Sequence, residues 1–553
     1  MPPQGPARFD VVVVGAGFSG LYLIKRLRDA GLSVQVVEAA PGVGGTWYWN
    51  AYPGARCDVE SFDYCYSFSR ELEEEWDWSE RYPSQPELLR YLNHVADRFD
   101  LRPHIRFETR VTAADFDEGR ALWTVRLDDG AAVECRFFIL AGGAISVPKP
   151  PEIEGIESFR GDSFHTGDWP REPVDFTGKR VAVIGTGSSA VQTSTAIVDQ
   201  VAQLTVFQRT PNFTAPMINY PLDAQALEEF RRTSAERHER SRHSRQGIPY
   251  PMPTRTALAA TAEERAEAFR NAWENSHLFA LRLTFIDVMT DEAANETVSE
   301  FVRGKIREIV KDPALAEQLT PRTYPFATKR PCIGKGYYEM FNREHVQLVD
   351  LRETPIVRMT PAGIATSAGE LAFDAIVFAT GFDALTGAAS RIAITGRDGV
   401  TLRSKWANGP ETYLGLASSG FPNLFFVTGP GSPGPLTAMV KSIEQHVDWI
   451  ADCLSFLSER GYATIEARPD HEKAWMDHVQ EVAAGTLYPR ANSWYTGANV
   501  PGKPRKFMPY LGGLGAYRAK CDDVAYTGYE GFDLGVKDEA ARRLCDDAGN
   551  STA

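Results

Sequence analysis

At 553 residues the chain is too long for a single hydrophobic core and is expected to form two or three packed units. Its net charge of −14 argues against a polyanionic partner, whether nucleic acid or an acidic membrane surface, and no apolar run approaches the ~20 residues that cross a bilayer. The seven cysteines are scattered without a C-x-x-C pair, which sets aside a zinc or other metal site and a dithiol redox centre; with no signal-peptide pattern ahead of Phe9, a cytoplasmic protein is expected.

The first elements read as a βαβ unit. A β-branched run from Phe9 to Val14 ends in Gly15-Ala16-Gly17-Phe18-Ser19-Gly20, followed by a helix over Leu21 to Ala30 and a strand over Ser33 to Val37. Glycines in this spacing serve a tight turn, backbone contact with a pyrophosphate and close helix–strand packing. Glu38 closes the second strand, where a carboxylate can accept hydrogen bonds from an adenosine ribose. A second copy follows: the strand Arg180 to Ile184, then Gly185-Thr186-Gly187-Ser188-Ser189-Ala190, a helix, and the strand Leu204 to Phe207. That strand ends in Gln208-Arg209-Thr210, offering a cation where Glu38 offers an acid. A cation there suits a ribose 2′-phosphate. Two dinucleotide folds of differing specificity predict a tightly held FAD on the first and NADPH on the second.

Between Pro221 and Pro325 the pattern changes to charged amphipathic stretches, Glu228 to Arg242, Ala262 to Glu274 and Glu300 to Val310, which read as helices. The buried run Asp374 to Phe382 then predicts a return to the first unit. The expected fold is α/β, two Rossmann-like dinucleotide-binding domains with an inserted helical subdomain. Its expected parts are an FAD-binding part over 1–145, an NADP-binding domain over 146–382 with the insertion at about 220–325, and a second FAD-binding part over 383–553 with a frayed polar tail after about 533.

Two longer stretches are more specific. Phe159-Arg160-Gly161-Asp162-Ser163-Phe164-His165-Thr166-Gly167-Asp168-Trp169-Pro170 matches the F-x-G-x-x-x-H-x-x-x-W-P signature of the Baeyer–Villiger monooxygenases, and Gly44 to Asp58 resembles that family's second signature, which ends in an active-site aspartate. Tyr324 to Arg330, Ala379 to Gly387 and Ser493 to Pro504 extend the resemblance over about residues 9–533. Within the family the chain looks closest to the members that act on phenylacetone and on steroids.

The resemblance implies NADPH- and O2-dependent conversion of a cyclic, aryl or steroid-like ketone to an ester or lactone through a flavin peroxide, with sulfide oxidation as a side activity. It gives Arg330 and Asp58 the catalytic places, Arg330 holding the anionic peroxide and Asp58 orienting the arginine. Read without it, Asp58 is a loop carboxylate and Arg330 a surface charge. The cofactor contacts it implies are Gly15, Gly17, Ser19, Gly20, Glu38, Thr46, Trp47, Asp58, Tyr64, Val111, Gly185, Thr186, Gly187, Ser188, Ser189, Gln192, Arg209, Thr210, Lys329, Arg330 and Trp494. Lys329 and Arg209 clamp the 2′-phosphate in this reading. The substrate pocket is expected from Val59, Ala144, Gly434, Pro435, Leu436, Met439 and Trp494. His165, in the linker before the second fold, is assigned a structural or hinge function, and the segment carrying Trp494 and Asn499 a lid that excludes water.

Small-molecule partners, a ketone and O2, and a monomer are expected. The rival readings are a flavin monooxygenase of sulfides or amines, a disulfide reductase, for which no cysteine pair is present, and a flavin-binding sensor without catalysis.

Overall fold

The structure is a computed structural model and describes residues 6–536. The valine run near the N-terminus forms β1 (Ala7–Val14), with Val11, Val12 and Val13 fully buried. It is followed by α1 (Phe18–Asp29) and β2 (Val34–Val37), which runs parallel to β1. A strand buried on both faces reads as a continuous apolar run, which is why this segment shows no alternation. On the other side of β1 lies the strand Ala132–Leu140, also parallel. Its first half pairs antiparallel with Leu122–Leu127, which leads on to Val111–Asp117 and Ala393–Thr395. Its last three residues, Phe138 to Leu140, pair with Leu424–Phe426. The first sheet therefore takes strands from both ends of the chain.

The second sheet is wholly parallel, in the order Val346–Asp350, Gln203–Gln208, Arg180–Ile184, Ala375–Phe378, Asp162–His165. The strand expected to lead the chain back, Ala375–Phe378, is thus interior to this sheet, between Arg180–Ile184 and Asp162–His165, and the return follows it. The main apolar core packs α1 and the long helix Met439–Arg460 on one face of the first sheet. Tyr22 and Arg26 of α1 reach the carboxylate of Asp448 on that helix at 2.7 and 2.8 Å.

Residues 224–319 hold the helices Ala224–His243, Ala262–Glu274, Glu292–Ile309 and Pro313–Leu319. The third begins eight residues before the expected Glu300, because Asp291 caps its N-terminus by accepting from the Ala294 amide. Thr261 and Glu264 form a reciprocal capping box. The expectation of a frayed tail from about residue 533 needs correction: Phe532–Val536 is a strand, antiparallel to Tyr462–Ala467, and its backbone hydrogen bonds hold it. The rest of that tail lies outside the described residues. Among the described residues no helix is long and apolar enough to cross a membrane, and no cluster of side chains could hold a metal ion.

Candidate active site

The two glycine loops sit at the ends of the central strands of the two sheets. At the first, the Gly15 amide donates to the Val37 carbonyl, tying the loop to the end of β2. Gly20 permits the close approach, since a Cβ there would stand 1.9 Å from the Gly15 oxygen. The helix with Thr46 and Trp47 is pinned alongside through Gly44 donating to Ala16. Glu38 is 5% exposed and accepts from the amides of Ala16 at 2.7 Å and Ala40 at 2.8 Å, so it braces the loop as well as closing β2. Burial pushes its pKa up, and those amides pull back against the shift.

The long helices of the insertion carry side-chain caps from Asp223, Thr261 and Asp291. By contrast α1 and the helix Ser188–Ile197 start at Gly17 and Gly187 with no side-chain cap. Each therefore presents free amides and the positive end of its dipole at a glycine cradle, an arrangement that fits a pyrophosphate. At Gly187 an added Cβ would meet nothing within 4 Å.

In the second fold the Thr186 hydroxyl donates to the Thr210 carbonyl at 2.7 Å, closing the loop over the end of the adjoining strand. Gln192 joins the two units: it accepts from the Tyr52 hydroxyl at 2.8 Å and donates to the Arg56 carbonyl at 3.1 Å. The left-handed Gly54 lies against the same helix, with space for a Cβ denied by the Gln192 oxygen at 2.6 Å. Ser189 sits on the first turn of that helix, and Ser188 lies 3.6 Å from the Cys332 sulfur.

Arg209 is exposed, and its charge bears on two lysines. Burial lowers the pKa of Lys329 and of Lys149, and the Arg209 charge lowers each further. Among the described residues none of the three has an ion-pair partner. Three cations gathered without an ion-paired acid, with only the charge of Glu152 acting against them at Lys149, form a ready site for a dianion. Lys149 was not singled out in the sequence; it stands alone between Pro148 and Pro150 with no motif around it. Its Nζ donates to the Asn499 carbonyl at 2.8 Å, tying the expected lid to this group.

Asp58 and Arg330, 272 residues apart, form a two-pronged ion pair: Nε and Nη2 each donate to a carboxylate oxygen at 2.8 Å, and Nη1 donates to the Pro435 carbonyl at 2.7 Å. The side chains are 23% and 18% exposed for Arg330 and Asp58. Burial works against the guanidinium charge, but attraction to Asp58 and its hydrogen bonds outweigh this and hold the Arg330 pKa above its ordinary value. Tyr64, edge-on to Trp47 at 5.8 Å between ring centroids, feels the charges of both Asp58 and Arg330. Cys332, two positions after Arg330, touches Ser188 of the second cradle. The pair consequently lies between the aromatic wall of the first unit and the glycine loop of the second.

The expected pocket residues come together unequally. Ala144, Met439 and Trp494 share an apolar cluster with Leu385 and Met508. Leu436 and Trp494 share another with Tyr488 and Tyr495. Gly434 and Pro435 form the short turn whose carbonyl holds Arg330. Val59 is 4% exposed and packs in the main core with Trp47; Val111, an expected cofactor contact, starts the strand Val111–Asp117 and packs in a cluster with Val37 and Leu140. Tyr495 is an unforeseen member: it lines one small cavity with Arg330 and Leu436.

Besides the Lys149 bond, the expected lid is fastened by Asn499 Nδ2, which donates to the Phe382 carbonyl at 2.7 Å, and by Lys503 Nζ, which donates to Asp383 at 2.6 Å. Just beyond it the Met508 carbonyl accepts from the Gly431 amide of the pocket loop at 2.7 Å. His165 has no route to the Asp58–Arg330 pair among its contacts. Its Nδ1 accepts from the Gly167 amide at 3.0 Å, so the ring proton sits on Nε2, within 3.1 Å of the Lys149 carbonyl and the Thr380 hydroxyl. Burial lowers its pKa.

A family model described as pyridine nucleotide-disulphide oxidoreductase matches residues 12–246, which include both glycine loops. The six described cysteines are all buried and unpaired, so the likeness there lies in the nucleotide folds. A Baeyer–Villiger monooxygenase of Pseudooceanicola batsensis is 41% identical over 97% of this chain and 98% of its own length. The solved structure of an oxidized steroid monooxygenase bound to NADP is 50% identical, with a TM-score of 0.92 over 96% of this chain and 100% of that one. The OTEMO complex with FAD and NADP is 40% identical, with a TM-score of 0.93 over the same shares. With such identity over nearly the whole of each chain, the chain belongs to the Baeyer–Villiger monooxygenase family.

Proposed function

We propose that the chain holds FAD on the first glycine loop and NADPH on the second and, consuming O2, converts a ketone to the ester or lactone bearing one added oxygen. The observation that carries this reading is the Asp58–Arg330 pair at the junction of the two units. When bound, the flavin would take two electrons from NADPH and supply one oxygen atom of O2, the other leaving as water. The chain's own contribution is electrostatic. Arg330 cannot lose its proton, and three of its five N–H donors are engaged by Asp58 and Pro435, which sets the plane of the guanidinium before any ligand arrives. Its remaining N–H capacity can meet negative charge developing on oxygen at no cost of reorganisation. Asp58 acts through Arg330 by holding it.

Arg209 and Lys329, with Lys149 beside them, are the proposed 2′-phosphate clamp, and Glu38 the proposed ribose acceptor. Ala144, Leu436, Met439 and Trp494 give apolar walls suited to a cyclic, aryl or steroid-like ketone, and the 50% identical relative is named a steroid monooxygenase. The lid over 493–504 excludes water from the junction, and His165 ties the linker at Lys149 to the strand end at Thr380. The domain limits proposed are 1–145 and 383–553 for the flavin unit and 146–382 for the NADP unit with its helical insertion. Unpaired buried cysteines suit a reducing cytoplasm, and the acidic charge suits a monomer with small-molecule partners alone.

The test is NADPH consumption by the purified yellow protein with phenylacetone, a bulky cyclic ketone and a steroid ketone, with products identified by mass. An ester formed in step with ketone-dependent NADPH loss is the expected result. Hydrogen peroxide alone with every ketone would overturn the reading and direct attention to sulfides.

A further inference from the structure

A second cationic group opens on the same cavity wall as Arg330, and the proposed reaction does not use it. Arg282, in the short turn Leu281–Leu283, lines a small cavity together with Arg330, Leu436, Tyr488 and Tyr495. One of its nitrogens, Nη1, donates to the Tyr488 hydroxyl at 2.9 Å, and the guanidinium carbon stands 4.7 Å from the centre of the Phe279 ring. Arg245, just past the helix Ala224–His243, donates through Nη2 to the Leu511 carbonyl at 2.9 Å and feels the charge of Arg282.

Among the described residues neither arginine has an ion-pair partner, although Asp and Glu outnumber Lys and Arg by 73 to 59 in this chain. Stacking on Phe279 and the bond to Tyr488 account for where Arg282 points, but they leave its Nε and Nη2 donors uncommitted and do not account for a second cation beside it. Like charges placed together without an ion-pair partner raise the energy of the free protein, and an anion relieves that cost. The planar fork of arginine matches a carboxylate through two parallel hydrogen bonds. Arg330 is not available for this, because Asp58 already occupies its fork.

We propose that Arg282, assisted by Arg245, binds the carboxylate of an oxo-acid substrate, whose ketone carbonyl reaches Arg330 while its anionic tail rests between Tyr488 and the pocket rim. The inference rests on the ketone reading above and narrows its substrate class to ketones carrying a negative charge.

The experiment compares 4-oxocyclohexanecarboxylate with its methyl ester. Steady-state kinetics are run on the holoenzyme, and binding to the oxidised NADP+-loaded holoenzyme is measured by calorimetry. The expected result is that the acid is preferred over the ester by about tenfold or more in kcat/KM, through KM, with the preference shrinking as salt is raised. Arg282→Gln abolishes the preference, Arg282→Lys restores part of it, and Arg245→Gln weakens it. Equal use of acid and ester by the wild type, or a preference that survives both glutamine variants, would overturn the proposal. If the wild type oxidises neither compound, the ketone reading fails and calorimetry decides the carboxylate site separately. Tighter binding of the acid, lost in Arg282→Gln or screened by salt, sustains it, and equal binding of acid and ester overturns it.

Discussion

Replacing Arg330 by alanine separates the two halves of the proposed reaction. The guanidinium holds Asp58 with two bonds of 2.8 Å and the Pro435 carbonyl with one of 2.7 Å, so its charge is fixed in place before substrate binds. Loss of one preorganised donor facing a developing negative charge costs about 10²–10³ in kcat. Ester formation in Arg330→Ala is therefore expected to fall by about that factor, while NADPH is still oxidised and hydrogen peroxide accumulates in place of ester. Asp58, 18% exposed, is left without its cation, and a destabilisation of about 1–3 kcal/mol follows from the unpaired acceptor. Arg330→Lys distinguishes charge from geometry: an ammonium keeps the charge but cannot span both Asp58 oxygens and Pro435, so ester formation should recover only in part. The assay is ester formed per NADPH consumed, read beside peroxide and the melting temperature. Ester formation by a folded Arg330→Ala within about tenfold of wild type would refute the electrostatic role.

In the second cradle, Arg209→Ala combined with Lys329→Ala should raise KM for NADPH by about tenfold or more and leave KM for NADH little changed, because each removes a charge-assisted contact to a phosphate that NADH lacks; parallel titration with both dinucleotides checks it. Gly20→Ala drives a methyl to 1.9 Å from the Gly15 oxygen, so the purified protein should be colourless or insoluble; a soluble protein with full flavin content would count against the tight-turn argument. His446, fully buried, accepts from the Thr428 amide on Nδ1 and faces the Tyr517 hydroxyl through Nε2, and burial pushes its pKa down to about 3. An unfolded histidine titrates near 6.5, so the unfolded chain takes up this proton first: stability is complete above pH ~6.5 and is lost as pH falls toward the folded value, by roughly 2 kcal/mol at pH ~5. The melting temperature of His446→Gln should accordingly fall less between pH ~7 and ~5 than that of wild type, and equal falls would exclude His446 as a source of acid lability.

Much of this protein is legible in its residues one segment at a time, because a glycine loop is a local device. The strand Val11 to Val14, the turn Gly15 to Gly20 and the acid Glu38 lie within one βαβ unit, and the second copy ending in Arg209 repeats it, so nucleotide folds and their differing specificity follow from short-range pattern. Three of the insertion helices were readable from their periodicity, but capping aspartates set earlier starts at Ala224 and Glu292, and the short helix Pro313–Leu319 carried no such pattern. Partnerships across the chain were another matter. Asp58 meets Arg330 over 272 residues where one unit packs on another, while Lys149 joins Arg209 and Lys329, and Arg282 comes beside Arg245, through packing within residues 146–382. Spacing in sequence carries no record of such approaches, since loops of any length can close them at little difference in entropy. Family resemblance supplied the first pair and the Arg209–Lys329 clamp; Lys149 beside that clamp, and Arg282 with Arg245, became visible only when the tertiary structure put like charges together.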